Sequence, residues 1–286
     1  MITLEQLQAG LVLPIDKPRQ WTSFQAVNKI KAILRQYTKE LSSSHSLPLT
    51  PSHAPKIKIG HAGTLDPLAT GLLLVCIGRA TKDIPRLQDG DKVYTGTIVL
   101  GATTPCFDLE RPVDHYYPYE HITAELLNET VKLFTGTILQ VPPMFSAVKI
   151  AGQRAYKYAR TDDPTVTIQP KPVNVYSFEI TAFRPGSDNG QLSTHSPSLP
   201  PTPSPSQQNT HLYQHPLGEV PTHLPQAEFR IHCGKGTYIR SLARDLGLAI
   251  GSGAFLSALR REQVGDYTVS NALQLDEVAS YLQNLA

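Results

Sequence analysis

The chain has 286 residues, 40% of them hydrophobic, which is enough for one large domain or two small ones around a sizeable core. Its 26 basic and 24 acidic residues leave a formal net charge of +2, so bulk charge does not point to nucleic acid, and a basic face has to come from local clustering. Cys76, Cys106 and Cys233 lack C-x-x-C spacing and give no disulfide framework, the N-terminus lacks a secretory pattern, and no run reaches the ~18 apolar residues of a membrane span, so the expected location is the cytoplasm.

Along the chain, helix and strand signals interleave. Ser23 is placed to cap a helix whose apolar positions are Phe24, Val27, Ile30, Ile33 and Leu34. Residues 39–55 contain SSSHSLPLTPSHAP, too polar to offset ordering entropy, and read as a flexible insertion. Gly71–Ile77 is a continuous apolar run, as in a buried strand, and Lys92–Leu100 is a second strand rich in β-branched residues. Thr123–Phe134 reads as a helix that Gly136 stops. Residues 185–226 hold 9 of the 24 prolines and no Lys or Arg, and read as a second flexible insertion. Its His195, His211, His215 and His223 are spaced irregularly among prolines, which suits solvated loop histidines better than a metal site. Glu228–Cys233 is a strand that turns through Gly234-Lys235-Gly236 into a helix from about Thr237 to Leu246, closed by Gly247. With no regular βαβ beat and no repeat, these elements predict a mixed α/β fold (α+β) rather than a doubly wound one.

The densest chemical signal is GHAGTLDPLATG at 60–71. Its glycines permit tight turns, and Pro67 keeps Asp66 out of the right-handed helical region, so the aspartate sits in a loop backed by a strand. Such a carboxylate is a candidate nucleophile or base; an Asp-Pro turn with a structural carboxylate is the alternative. GKGTYIRSLAR at 234–244 puts Arg240 and Arg244 on one helix face behind a glycine turn, for an anion or simply for water. Tyr94 shares a strand face with Gly96, which leaves room for something flat beside the ring, although core packing would look the same. Residues 141–160 alternate aromatic and basic residues, as suits RNA or an amphipathic surface helix. Lys56, Lys58, His61, Arg260 and Arg261 gather near these segments, the local bias an electrostatic footprint requires.

GHAGTLDPLATGLL closely resembles the catalytic motif of the TruB-type tRNA pseudouridine synthases, bacterial enzymes that act on uridine 55 of the T arm. IDKP at 15–18, KVYTGTIVLG at 92–101, VPPMFSAVK at 141–149, CGKGTYIRSLARDLG at 233–247 and LRR at 259–261 match the family in order. The resemblance implies a pseudouridine synthase fold, a central mixed and mostly antiparallel sheet flanked by helices. It implies a catalytic domain over residues 1–270, interrupted by the two insertions, and a short tail at 271–286 with the RNA-binding PUA domain of many relatives absent. By position, it implies Asp66 as the essential aspartate, Tyr94 as the residue that stacks on the target base, and Arg240 as the aspartate's partner. His61, Tyr238 and Leu259 fall at substrate-contacting positions, Asp108 at one that holds the arginine, and Lys17 in the N-terminal motif. The reaction is a redox-neutral isomerisation, so the resemblance implies no cofactor and no metal, tRNA as the partner, no protein partner, no membrane, and action as a monomer. One departure is local: where the family shows T-x-T-x-D-x-x-G, this chain reads TPCFDLER at 104–111, keeping Asp108 but losing the second threonine and the glycine. An RNA-binding protein that has lost turnover, a glycoside hydrolase with paired carboxylates, and a pseudouridine synthase that acts on another tRNA position or another RNA are the rival readings; the segment around Asp66 supplies no second acid for the hydrolase.

Overall fold

A computed structural model describes residues 2–44, 57–146, 148–150, 153–155, 168–187 and 217–285. In chain order the elements are α1 (Leu4–Ala9), β1 (Leu11–Lys17), α2 (Ser23–Ser44), β2 (Ile59–His61), β3 (Thr70–Ile77), α3 (Ile84–Asp89) and β4 (Lys92–Leu100). There follow β5 (Ala102–Thr103), β6 (His115–Tyr116), α4 (Ala124–Val131), β7 (Gly136–Gln140), β8 (Lys149–Ile150), β9 (Gln153–Arg154) and β10 (Lys171–Arg184). The last are β11 (Gln226–Cys233), α5 (Ile239–Ala249), β12 (Ala254–Val264), β13 (Tyr267–Thr268) and α6 (Val278–Asn284).

Among the described residues one nine-stranded sheet runs β1-β3-β12-β4-β11-β10-β7, with β2 also on β3 and β13 also on β12. The pairs β1–β3, β2–β3, β7–β10 and β12–β13 are antiparallel, whereas β3–β12 is parallel, so the sheet is mixed, as the sequence implied. By contacts the chain divides into two compact units. The first comprises Met1–Thr95, His232–Lys235 and Leu259–Ala286; the second comprises Gly96–Ile231 and Gly236–Ala258.

In the first unit, β3 is buried along nearly its whole length, which is why its sequence is a continuous apolar run instead of an alternating one. Leu72, Leu74 and Cys76 pack with Ala62, Ala80, Leu87 and Val264. The start of α2 differs from expectation. Thr22, not Ser23, caps the helix: its hydroxyl accepts from the Gln25 N–H (3.1 Å), and the Gln25 side chain accepts from the Thr22 N–H (2.8 Å). Val27, Ile30 and Leu34 are buried as expected, but Phe24 is 69% exposed. The helix continues to Ser44, so residues 39–44 are helical; 45–55 lie outside the described residues. The expected short tail is an ordered part of this unit as far as Leu285. Leu273 pairs with Ile15, and α6 buries Val278 and Leu282.

In the second unit, Phe178 of β10 and Phe229 of β11 meet edge to face, with ring centroids 6.2 Å apart. Thr123 caps α4 through the Leu126 N–H, and Gly136, at φ +95°, ends that stretch and opens β7. Gly247 does not close α5, which runs two residues further. A Cβ there would lie 2.6 Å from the Ala254 nitrogen, so this glycine admits the start of β12 against the helix. Gly251, at φ +70°, makes the turn instead. Of the second insertion, 188–216 lie outside the described residues, and so do His195, His211 and His215. His223 packs its ring 6.3 Å from those of Tyr116 and Tyr119 and is partly buried. No helix among the described residues is long and apolar enough to cross a membrane.

Candidate active site

In the first unit, β2 delivers the chain to an irregular loop, residues 62–69, that carries Asp66 and then enters β3. Several bonds fix the loop from outside. Ser23, displaced from the capping role, clasps the residue before the aspartate: its buried hydroxyl accepts from the Leu65 N–H (2.9 Å) and donates to the Leu65 carbonyl (3.1 Å). The Ala69 N–H donates back to the Asp66 carbonyl (3.1 Å), and the Gln20 N–H donates to the Pro67 carbonyl (2.8 Å). The carboxylate-bearing residue is therefore pinned on both sides while Asp66 itself is only partly buried.

Two fully buried cations support this loop. Lys17, with no exposed surface, ends β1 and directs Nζ at the carbonyls of Trp21 (2.6 Å), Pro18 (3.0 Å) and Pro67 (3.4 Å). Burial pushes its ammonium down to about 8; the Asp66 carboxylate opposes that shift and Arg261 adds to it. Arg261, on β12 and 2% exposed, donates from Nε to Leu72 (2.8 Å), from Nη2 to Gly63 (3.1 Å) and from Nη1 to Thr64 (3.4 Å), all through backbone carbonyls. It pairs in parallel register with Gly71, whose φ is +97°. A Cβ on Gly71 would lie 2.3 Å from the Arg261 carbonyl oxygen, so only glycine lets the two strands meet here.

Tyr94 on β4 is 9% exposed. Burial raises the pKa of its hydroxyl, while the charge of Arg261 pulls the other way; Cys233 and Asp66 are the remaining charges acting on it. The room expected beside Gly96 is filled. A Cβ on that glycine would meet the Ala258 carbonyl oxygen at 2.3 Å and the Phe229 ring at 2.9 Å, so the glycine serves packing. Half-buried His61 is held below its usual imidazole range by burial, against the Gly63 backbone and with Arg261, which keeps the ring neutral at pH 7. Lys92 is buried too, its ammonium on the Gln88 and Gly90 carbonyls, and burial followed by Arg261 lowers it. Leu259 is partly exposed and accepts a bond from the Thr70 hydroxyl (3.5 Å) through its carbonyl.

The first unit thus gathers Asp66, Tyr94, His61 and Lys17 around Arg261. Sequence reasoning named Arg261 only as one of a basic cluster; Lys58 of that cluster is exposed, but its two arginines are engaged by the protein itself. Arg261 is buried, and Arg260 is engaged by Asp16 in a two-point ion pair (3.0 and 2.7 Å). A usable signal was the glycine opposite it: Gly71, with φ +97° at the entry to a buried strand, marks a close neighbour.

Tyr238 and Arg240 belong to the second unit. Gln140, 1% exposed, receives the Tyr238 N–H (2.8 Å) and donates to its carbonyl (3.1 Å), so a buried amide opens α5 where no side chain caps it. Arg240, 5% exposed, stands 3.7 Å from the Asp108 carboxylate and donates to the carbonyls of Cys106 (3.1 Å) and Phe145 (2.9 Å). Asp108 also accepts the Glu110 N–H (3.0 Å). Cys106 stands where a threonine was expected. Its thiol lies 3.4 Å from the Asp108 carbonyl and does a hydroxyl's work weakly, while Thr104 bonds the same oxygen at 2.7 Å. Burial and the Asp108 charge push that thiol up to about 12. Phe107, at φ +60°, turns the loop so that its carbonyl accepts the Leu256 N–H (3.0 Å), and Arg244 lies over its ring at 5.4 Å. Among the described residues no group of three His, Cys, Asp or Glu could hold a metal ion.

Known proteins resemble the chain along most of its length. Residues 52–196 match the family model of the TruB family pseudouridylate synthase N-terminal domain, and residues 240–285 match that of the tRNA pseudouridylate synthase B C-terminal domain. A protein of Flavobacterium johnsoniae named tRNA pseudouridine synthase B is 43% identical over 99% of this chain and 100% of its own length. One of the same name from Parabacteroides distasonis is 39% identical over 96% of this chain and 94% of its own. Among solved structures, a chain of a Cbf5-Nop10-Gar1 complex superposes with a TM-score of 0.57 at 25% identity over 96% of this chain; the present chain spans 55% of that one.

Proposed function

The chain belongs to the TruB family of pseudouridine synthases, and from that premise we propose that it converts uridine to pseudouridine at position 55 in the T arm of tRNA, with Asp66 as nucleophile. The observation that carries the reading is Asp66 itself, a partly exposed carboxylate on a loop clamped by Ser23, Lys17 and Arg261. A nucleophile has to be ionised and immobile at the moment of attack. The clamp removes the freedom that would otherwise be lost in the transition state.

The target base lies inside a folded loop and has to be flipped out before its glycosidic bond can be reached. Stacking on an aromatic ring such as Tyr94 offsets the lost base stacking by about 1–3 kcal/mol. His61, Tyr238 and Leu259 contact the substrate. Arg240, buried beside Asp108, takes part in catalysis. The N1–C1′ bond breaks, the base turns, and C1′ is joined to C5 with no net redox change. The protein works on tRNA as a monomer in the cytoplasm.

An unmodified tRNA transcript incubated with the protein, then mapped by carbodiimide labelling and primer extension, should give a single stop at the T-arm uridine. Asp66→Ala should abolish the stop and leave tRNA affinity within about twofold, since the change removes one carboxylate that contributes mainly to the transition state. Bound, folded wild-type protein that produces no stop would sink the proposal.

A further inference from the structure

We propose that the outer face of α2 is a track for RNA: Lys31, Arg35 and Lys39 take phosphates of the strand that leads away from the target uridine, and Phe24 takes an unpaired base of that strand. This rests on the isomerase reading above and adds to it a surface that holds the substrate beyond the reacting nucleotide.

The helix is two-sided. Ala26, Val27, Ile30, Leu34 and Tyr37 are buried, and the face turned to solvent carries Phe24, Asn28, Lys31, Arg35 and Lys39. At 3.6 residues per turn, Phe24, Lys31, Arg35 and Lys39 fall within about 80° of arc, and the three cations repeat at a rise of about 6 Å. Charges of one sign at this spacing repel along a helix. The helix holds four basic residues and a single acid, Glu40, whose carboxylate receives the Gln36 side chain (3.0 Å). Neither Lys31 nor Arg35 forms an ion pair with a described residue, whereas exposed Lys132, just after α4, has Glu129 at 2.7 Å. The helix dipole does not account for these cations either, since it favours them in the last turn, and the last turn of α2 has none. A line of like charges kept at a cost to the helix suits a polyanion laid along it.

Phe24 is a separate observation. It is 69% exposed and stands at the head of the same line. A ring beside a row of cations is the pairing that holds single-stranded nucleic acid, the ring taking a base and the cations the backbone. An acidic protein surface would match the charge but has no use for the ring. The position of Phe24 gives the track a starting point. The neighbouring Ser23 hydroxyl holds the backbone of Leu65, next to Asp66, so the line begins beside the nucleophile loop and runs away from it for about 22 Å along α2.

The test reads binding of labelled tRNA by fluorescence anisotropy across a salt series, with the parent, Lys31→Gln, Arg35→Gln, Phe24→Ala and, as a control, Lys132→Gln. Lys31→Gln and Arg35→Gln should each reduce the slope of log Kd against log salt by roughly 0.7–0.9, and in turnover the loss should fall on KM and not on kcat. Phe24→Ala should weaken binding about fivefold or more with the slope unmoved, because the ring carries no charge. Lys132→Gln should do neither. In urea the two charge variants should unfold no earlier than the parent, since each removes a repulsion within α2. Parent-like slopes for both charge variants, or a parent-like affinity for Phe24→Ala, overturn the inference. So does a fall in kcat with the slope unmoved, which would tie α2 to the Asp66 loop and not to RNA. Affinity lost for poly-glutamate but kept for tRNA would give the face to an acidic protein and overturn it as well. If the parent binds tRNA and forms no pseudouridine, the isomerase reading fails, and that result is seen before any variant is compared.

Discussion

Lys17 is a cation held where its charge is unwelcome, and that gives the fold a pH signature. The folded protein loses this proton near pH 8, whereas the unfolded chain keeps it to 10.5. Between those values the unfolded state binds more protons, so raising the pH through the window strengthens the fold. The contribution is fully present above the unfolded value and is lost as pH falls through the folded one, and it spans roughly 3 kcal/mol. Urea unfolding of the parent and Lys17→Met across the window should show the parent gaining on the variant by about that amount. Parallel curves would mean that Lys17 titrates normally. The comparison with the variant matters because Lys92 shifts in the same direction while Tyr94 shifts in the opposite one.

At the scale of elements, the crossing of β3 and β12 depends on one missing side chain. Gly71→Ala places a Cβ against the backbone of Arg261 at a φ that L-residues avoid, and no rotamer can relieve it. Destabilisation of about 3 kcal/mol or more is expected, read as a fall in the denaturation midpoint with m unchanged. Elements with purely local causes were legible in the sequence: β3 from its apolar run, β4 from its β-branched residues to the residue, and α4 from Thr123 and Gly136. Where a residue answers to a distant neighbour, local reading failed. Ser23 has the chemistry of a cap but is taken by Leu65, and Thr22 caps in its place. Gly247 looks like a stop but admits β12, and Gly96 looks like a gap but is filled by Ala258 and Phe229. The motif named Asp66 and Tyr94, whereas the burial of Lys17 and Arg261 depends on strands far apart in sequence.

For the molecule as a whole, the chief surprise is where the positive charge resides. Several cations of the first unit are structural: Arg261, Lys17 and Lys92 are buried and Arg260 is paired with Asp16, whereas Lys58 is exposed. Affinity for a polyanion falls with salt in proportion to the phosphates its cations neutralise. Arg260→Gln should therefore leave the slope of log Kd for tRNA against log salt unchanged, as measured by fluorescence anisotropy. A slope reduced by about one phosphate contact (roughly 0.7–0.9) would mean that Arg260 leaves Asp16 for the RNA. The two compact units share the chain unevenly, and β4, β11 and β12 each pass from one to the other within a strand.

Tyr37 ties the stretch before α1 to α6. Its hydroxyl meets the carbonyls of Ile2 and Leu282, each at 3.0 Å, and the Ile2 N–H donates to Leu282 at 3.2 Å. A single hydroxyl on α2 therefore joins Ile2 and Leu282 at one point of the first unit, so Tyr37→Phe would leave both carbonyls short of a donor at once.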